Sequence, residues 1–131
     1  MRLLLDTHIW RWSLSAPDKL GKRLRAAITR AGTELWLSPI SVWELLVLAE
    51  RGRIKLAPDP RQWIAAALSR TPAHEAPLNH RIAIRSREIL TVHEDPADRF
   101  LVATALIYEL TLATADETLI RLKPCAILAN R

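Results

Sequence analysis

His93-Glu94-Asp95-Pro96-Ala97-Asp98-Arg99-Phe100 opens an apolar run over residues 100–110, which passes directly into Leu110-Thr111-Leu112-Ala113-Thr114 and then Asp116. Asp95 is a good N-cap, Pro96 suits the first helical position, and Asp98 falls in the first turn. The stretch therefore reads as helix, short link and strand, with acids at the helix start and just past the strand end. In parallel α/β folds the carboxyl ends of strands and the helix starts that follow them share one rim, where ligands bind. Asp116 belongs on that rim, and the question for the rest of the chain is which other acids join it.

Working back to the N-terminus, Leu3-Leu4-Leu5 is an all-apolar run of the kind buried on both faces of a parallel sheet, and Asp6 ends it. Residues 7–12 follow as a short helix or turn. A helix is expected from Pro17-Asp18, with Leu20, Leu24, Ala27 and Ile28 on one face and Gly32 as its stop. Glu34-Leu35-Trp36-Leu37 reads as a second strand and residues 40–51 as a helix with Val42, Leu45, Leu46 and Ala49 inward. Pro58-Asp59-Pro60 breaks the chain before a helix over 61–69. A short third strand over 73–78 carries Pro77, which makes it an edge candidate. Asn79 caps a helix to Leu90. Beyond Asp116 come a turn or two of helix through Leu122 and a last strand at Cys125-Ala126-Ile127-Leu128. Five short strands alternating with helices mean an α/β fold, a parallel sheet covered on both faces, in one domain over residues 1–131.

Composition narrows the chemistry. The 131 residues are 50% apolar and 25% charged, the balance of a chain that folds rather than one that stays disordered. The three glycines, Gly21, Gly32 and Gly52, cannot build a phosphate-cradling GxGxxG or P-loop. A single cysteine, Cys125, excludes an internal disulfide and a cysteine-based zinc site, and is expected as a buried thiol in a reducing compartment. Neither a signal peptide nor a membrane span is long enough to be encoded, so a soluble cytoplasmic protein is expected. The net charge is +5, with arginine supplying 15 of the 19 basic residues, and arginine's planar fork suits phosphate.

Four acids carry the argument: Asp6, Glu44, Asp98 and Asp116. Each has an ordinary structural role open to it. Asp6 and Asp116 can cap the helices after their strands, Asp98 can sit on its own helix dipole, and Ser41-Val42-Trp43-Glu44 fits a capping box. Yet Asp6 and Asp116 follow different strands and emerge on the same rim, and Glu44 lies within two turns of the helix start near it, flanked by Val42, Trp43, Leu45 and Leu46. A carboxylate in such company is costly unless a cation compensates it. Oxygen donors without cysteine suit a hard ion, Mg²⁺ or Mn²⁺, which polarises phosphoryl oxygens and activates water.

Leu3-Leu4-Leu5-Asp6-Thr7, Ser41-Val42-Trp43-Glu44, the run from Asp95-Pro96-Ala97-Asp98 to Ala105, and Leu112-Ala113-Thr114-Ala115-Asp116 together resemble the acidic motifs of PIN-domain nucleases. More narrowly they resemble the VapC-type toxins of bacterial toxin–antitoxin pairs. The resemblance spans nearly the whole chain. It implies a PIN-like three-layer sandwich around a five-stranded parallel sheet, strands one and four side by side, with Asp6, Glu44, Asp98 and Asp116 as catalytic metal ligands. It also implies a Mg²⁺- or Mn²⁺-dependent endoribonuclease acting on RNA, a homodimer, and a small cognate antitoxin over the site. Of the pair Asp95 and Asp98, the motif makes Asp98 the ligand and leaves Asp95 the cap. Two rival readings are a haloacid-dehalogenase-like phosphatase with Asp6 as nucleophile, which wants an acid where His8 stands, and a non-enzymatic module, which would have lost an acid. A housekeeping PIN nuclease outside any toxin pair stays open.

Other residues have weaker claims. Thr7 and Thr114 can steady a ligand carboxylate, and Arg11 and Arg99 are candidate phosphate contacts. His8 and His93 flank the acids and can in principle serve as base and acid, while His74 and His80 read as loop and cap residues. Trp10, Trp12 and Trp43 stand early in helices near the rim and are candidates for a partner groove.

Overall fold

Leu3 and Leu5 point to one side of the sheet and Leu4 to the other, and the protein builds a separate core on each. The structure, a computed structural model, describes residues 1–89 and 95–131. Strand β1 (Arg2–Leu5) lies at the centre, with β2 (Glu34–Leu37), β3 (Ala73–Glu75), β4 (Thr111–Thr114) and β5 (Ile127–Ala129) in the order β3-β2-β1-β4-β5. Every pairing is parallel, and β1 and β4 are neighbours with Leu5 opposite Ala113. The short third strand is at an edge, as its proline suggests.

Among the described residues seven α-helices cover the two faces: α1 (Thr7–Ser15), α2 (Lys22–Thr29), α3 (Pro39–Glu50), α4 (Pro60–Arg70), α5 (His80–Glu88), α6 (Pro96–Tyr108) and α7 (Glu117–Leu122). Leu4 and Leu112 pack with Ile82 of α5, Leu101 and Val102 of α6 and Leu119 of α7. Leu3, Leu5 and Ala113 pack with Ile9 and Trp10 of α1, Leu24 of α2, Leu45 of α3 and Ile64 of α4. Burying each of these leucines fully is worth roughly 1.5–3 kcal/mol, so the two-sided leucine run is the fold's main anchor. No helix among the described residues is long and apolar enough to cross a membrane.

Several boundaries differ from those expected. Pro17–Lys19 forms only a 3₁₀ turn, and Leu20 and Gly21 are extended before α2 begins at Lys22. Of the helix or turn expected over residues 7–12 the structure forms the helix, and α1 runs on to Ser15. The last strand starts at Ile127, although the carbonyl of Ala126 already accepts from the Leu112 amide at 2.8 Å. Asn79 caps α5 as expected through the Ile82 amide, but its expected last residue, Leu90, lies outside the described residues. Ser41 does not cap α3: Ser38 does, accepting from the Ile40 amide at 3.1 Å. Cys125 is half-buried rather than buried, and what burial it has pushes the thiol up to about 11.

Candidate functional site

The sheet register assembles the site. Asp6 is the first residue past β1 and its amide still donates to the Ala113 carbonyl (3.0 Å), which draws it level with the end of β4. There its Oδ2 accepts from the Thr114 hydroxyl (2.5 Å) while its Oδ1 accepts from the Thr7 amide (2.7 Å), capping α1. The Thr114 oxygen in turn accepts from the Asp116 amide (3.0 Å), and Asp116 Oδ1 caps α7 through the Leu119 amide (3.0 Å). The capping roles foreseen for Asp6 and Asp116 are thus real, and they coexist with a shared location. Thr114 steadies Asp6 directly.

Asp98 comes from the first turn of α6. Asp95 sets that turn by accepting from the Ala97 and Asp98 amides (2.9 and 3.3 Å). Glu44 comes from the second turn of α3, where Ser41 is tied to Thr7 by a hydroxyl–hydroxyl bond of 3.0 Å. All four acids line one cavity of about 260 Å³, together with His8, Trp12, Asp95 and Ala115. Asp95 therefore does more than cap: its own side chain faces the same space. A larger hollow of about 460 Å³ lies between β3, the start of α3 and the end of α4, but its walls are mainly apolar and hold one acid, Glu75. Size favours the second hollow; chemistry favours the first.

The electrostatics of the cavity are those of like charges held together. Burial raises the Asp98 carboxyl to about 8, with further pressure from Asp6, Asp95, Asp116 and Glu44. Burial raises Asp6 as well, opposed by its bonds to Thr114 and Thr7 and by nearby His8. Glu44 is raised by burial, eased by the Thr7 hydroxyl, and pushed further by Asp6 and Asp95. Asp6 and Asp98 are each only 8% exposed.

A hard divalent cation fits this donor set by kind, since the acids offer only oxygen. Among the described residues no three His, Cys, Asp or Glu side chains already stand in a metal-holding group, so the fit is one of chemistry and location.

Other expectations are corrected. Arg99 is no phosphate contact: it is 6% exposed, and its Nη1 donates to the carbonyls of Ser86 (3.2 Å) and Ile89 (2.6 Å), fastening the end of α5 to α6. Trp10 lines no groove. It is fully buried, its Nε1 donates to the Thr71 hydroxyl (2.9 Å), and it meets Trp63 edge-on. His74 lies in β3 rather than a loop, against the Trp36 ring at 4.9 Å. Arg11 is absent from the cavity wall, and His93 lies outside the described residues. What the sequence reading missed was the pairing of His8 with Trp12, although four-residue spacing on one helix was a usable signal.

A parallel sheet that draws carboxylates from four elements to the carboxyl edge of its central strands defines a class, the PIN-type α/β fold. Residues 3–123 match the PIN domain, and the chain belongs to that family. Within it, the chain is 32% identical over 120 residues to ribonuclease VapC22 of Mycobacterium tuberculosis, covering 89% of this chain and 88% of that protein. The fold is shared with VapBC2 from Rickettsia felis, solved bound to a DNA fragment from its promoter, at a TM-score of 0.71 and 14% identity over 98% of both chains. It is shared also with a toxin–antitoxin complex from Klebsiella pneumoniae, at a TM-score of 0.65 and 19% identity, again over 98% of both.

Proposed function

We propose that the chain is a metal-dependent endoribonuclease, a single nuclease domain over residues 1–131, and the toxin of a toxin–antitoxin pair that works as a homodimer. The observation that carries the nuclease reading is the meeting of Asp6, Glu44, Asp98 and Asp116 in one cavity from four separate elements. The identity to a ribonuclease supports the substrate, and the shared fold with toxin–antitoxin complexes supports the partner.

Asp6, Glu44, Asp98 and Asp116 would hold Mg²⁺ or Mn²⁺. Bound there, the ion would polarise the scissile phosphate and acidify an attacking water. The protein's own part is placement. Thr114 orients Asp6, Ser41 and Thr7 join α3 to α1 beneath Glu44, and Asp95 fixes the turn that presents Asp98. A phosphatase using Asp6 as nucleophile is disfavoured, because that chemistry wants a second acid two residues on, where His8 stands.

The test is cleavage of RNA by the wild type, Asp98→Asn and Asp95→Asn with Mg²⁺ or Mn²⁺. Asn keeps the shape near a helix start but removes the charge, so Asp98→Asn should fold and lose about a hundredfold or more in rate. Asp95→Asn still caps, and should lose far less. Full activity in Asp98→Asn removes that residue from the site; activity that survives EDTA removes the metal.

A further inference from the structure

Beside the acids stands an aromatic wall that the carboxylates do not account for. His8 and Trp12 occupy one face of α1, and their rings stack with centroids 5.8 Å apart and planes inclined by 27°. Both line the cavity of the four acids, and His8 is exposed. Lys19 lies over the Trp12 ring, its Nζ 5.6 Å from the centroid. The segment carrying Lys19 is pinned from across the fold: Asn130 Nδ2 donates to the Lys19 carbonyl (3.1 Å), and Asn130 Oδ1 accepts from the Gly21 amide (2.8 Å).

Core packing explains only part of this wall: Trp12 packs against the core cluster of Leu3, Leu5 and Trp10, and His8 does not. Thr7, Ile9 and Trp10 are the fully buried members of α1, whereas His8 is exposed and lines the open cavity. The acids by themselves repel a polyanion, so a substrate needs attraction from something nearby. A stacked ring pair with a cation beside it provides both components used on single strands, a flat face for a base and a charge for the backbone. A base locked in a duplex cannot reach such a face, whereas an unpaired one can be splayed onto it.

We propose that His8, backed by Trp12 and flanked by Lys19, seats an unpaired nucleobase of the RNA next to the phosphate being cut. The inference rests on the nuclease reading above and adds to it where the substrate is gripped. The seat accepts any unpaired base, with a modest preference for bases that stack strongly.

The test measures binding apart from cutting. Fluorescence anisotropy follows a labelled single-stranded oligoribonucleotide of about ten mixed-sequence nucleotides, a length within the range such sites span. It is done in the Asp98→Asn background, with wild-type cleavage of the same RNA as a parallel arm. Added His8→Ala should raise Kd about five- to a hundredfold, the effect of losing one base–aromatic stack. Added His8→Phe should rescue binding, because it restores a ring without imidazole nitrogens. Trp12→Phe, which retains a ring behind His8, should fall between them. One abasic position in the RNA should weaken binding to the background protein and have no effect once His8 is alanine. An unchanged Kd in His8→Ala, with wild-type cleavage intact, overturns the seat and leaves the nuclease reading standing. Failure of His8→Phe to rescue overturns it too, since the imidazole nitrogens rather than the ring face would then matter. Weakened binding of an antitoxin with unchanged RNA binding reassigns the wall to a protein partner. A wild type that neither binds nor cuts RNA overturns both readings together.

Discussion

Thr114 is the residue on which two of the acids converge. Its hydroxyl donates to Asp6 and accepts from the Asp116 amide, and its side chain is fully buried. Thr114→Val keeps the branch at Cβ but leaves Asp6 Oδ2 without that donor, and groups that orient a metal ligand are typically worth 10–100-fold in affinity or activity. RNA cleavage as a function of Mn²⁺ concentration should shift by about that factor; a superimposable titration would show that Thr114 only packs. At Asp98 the prediction concerns pH. With its carboxyl raised from the usual 3.8 to about 8 in the metal-free fold, the folded state holds its proton more tightly than the unfolded chain does. The contribution is fully present below the unfolded value and is lost as pH rises through the folded one. In EDTA the melting temperature should therefore fall between about pH 5 and pH 8, and Asp98→Asn should flatten that fall. Millimolar Mn²⁺ should offset it, since an ion that binds only the folded state stabilises it. A metal-free melting temperature that climbs steadily over the same range would contradict the crowding of acids.

At the scale of elements, helix ends decide where the side chains arrive. Helix α6 starts at the Asp95 cap and ends with Glu109 in the left-handed region at φ 55°, its amide returning to the Ala105 carbonyl. That reversal at a non-glycine residue lets β4 begin at Thr111 without a longer loop, and so keeps Asp98 and Asp116 on one rim. The start of α2 is fixed differently. The amides of Arg23 and Leu24 donate to the Arg131 carbonyl (2.9 and 3.2 Å), and the chain passes so close to Gly21 that a Cβ there would lie 1.7 Å from the Arg131 carbonyl carbon. Gly21→Ala must displace main chain, an overpacking effect of about 1–3 kcal/mol. Chemical denaturation should register the loss, and an unaltered midpoint would mean that residues 130 and 131 are not seated as described.

Over the whole molecule, charge and apolar surface are distributed unevenly. The chain carries a net +5, yet the candidate site is a cluster of acids, so under the proposed function basic groups outside the site draw the RNA in. Trp43, on α3 just before Glu44, is 50% exposed, and its neighbour Val42 lines the 460 Å³ hollow with Leu68. An amphipathic antitoxin segment laid into a groove uses such anchors. Under the proposed function, Trp43→Ala should weaken the antitoxin complex tenfold or more by calorimetry, as central aromatic anchors do, without altering the melting temperature of the toxin alone. Equal affinity would leave Trp43 outside the interface.

The sequence by itself determined what depends on near neighbours. Alternating strands and helices followed from local apolar spacing, and the caps at Asn79 and Asp95 from side chains reaching amides two or three residues on. The motif order also singled out the four acids that the cavity brings together, each standing just past a strand or within the first two turns of a helix. Tertiary structure decided whatever depends on a distant partner. Ser41 was free, on local grounds, to cap a helix, but bonds Thr7 from 34 residues away; Asp6 takes its hydroxyl donor from 108 residues away. Arg99, exposed by charge alone, is buried because α5 supplies carbonyls for it, and Trp10 is core because α4 closes over it. The physical reason is range. Capping and periodicity are settled within a turn of chain, whereas burial and long-range hydrogen bonds depend on which elements the sheet order sets side by side.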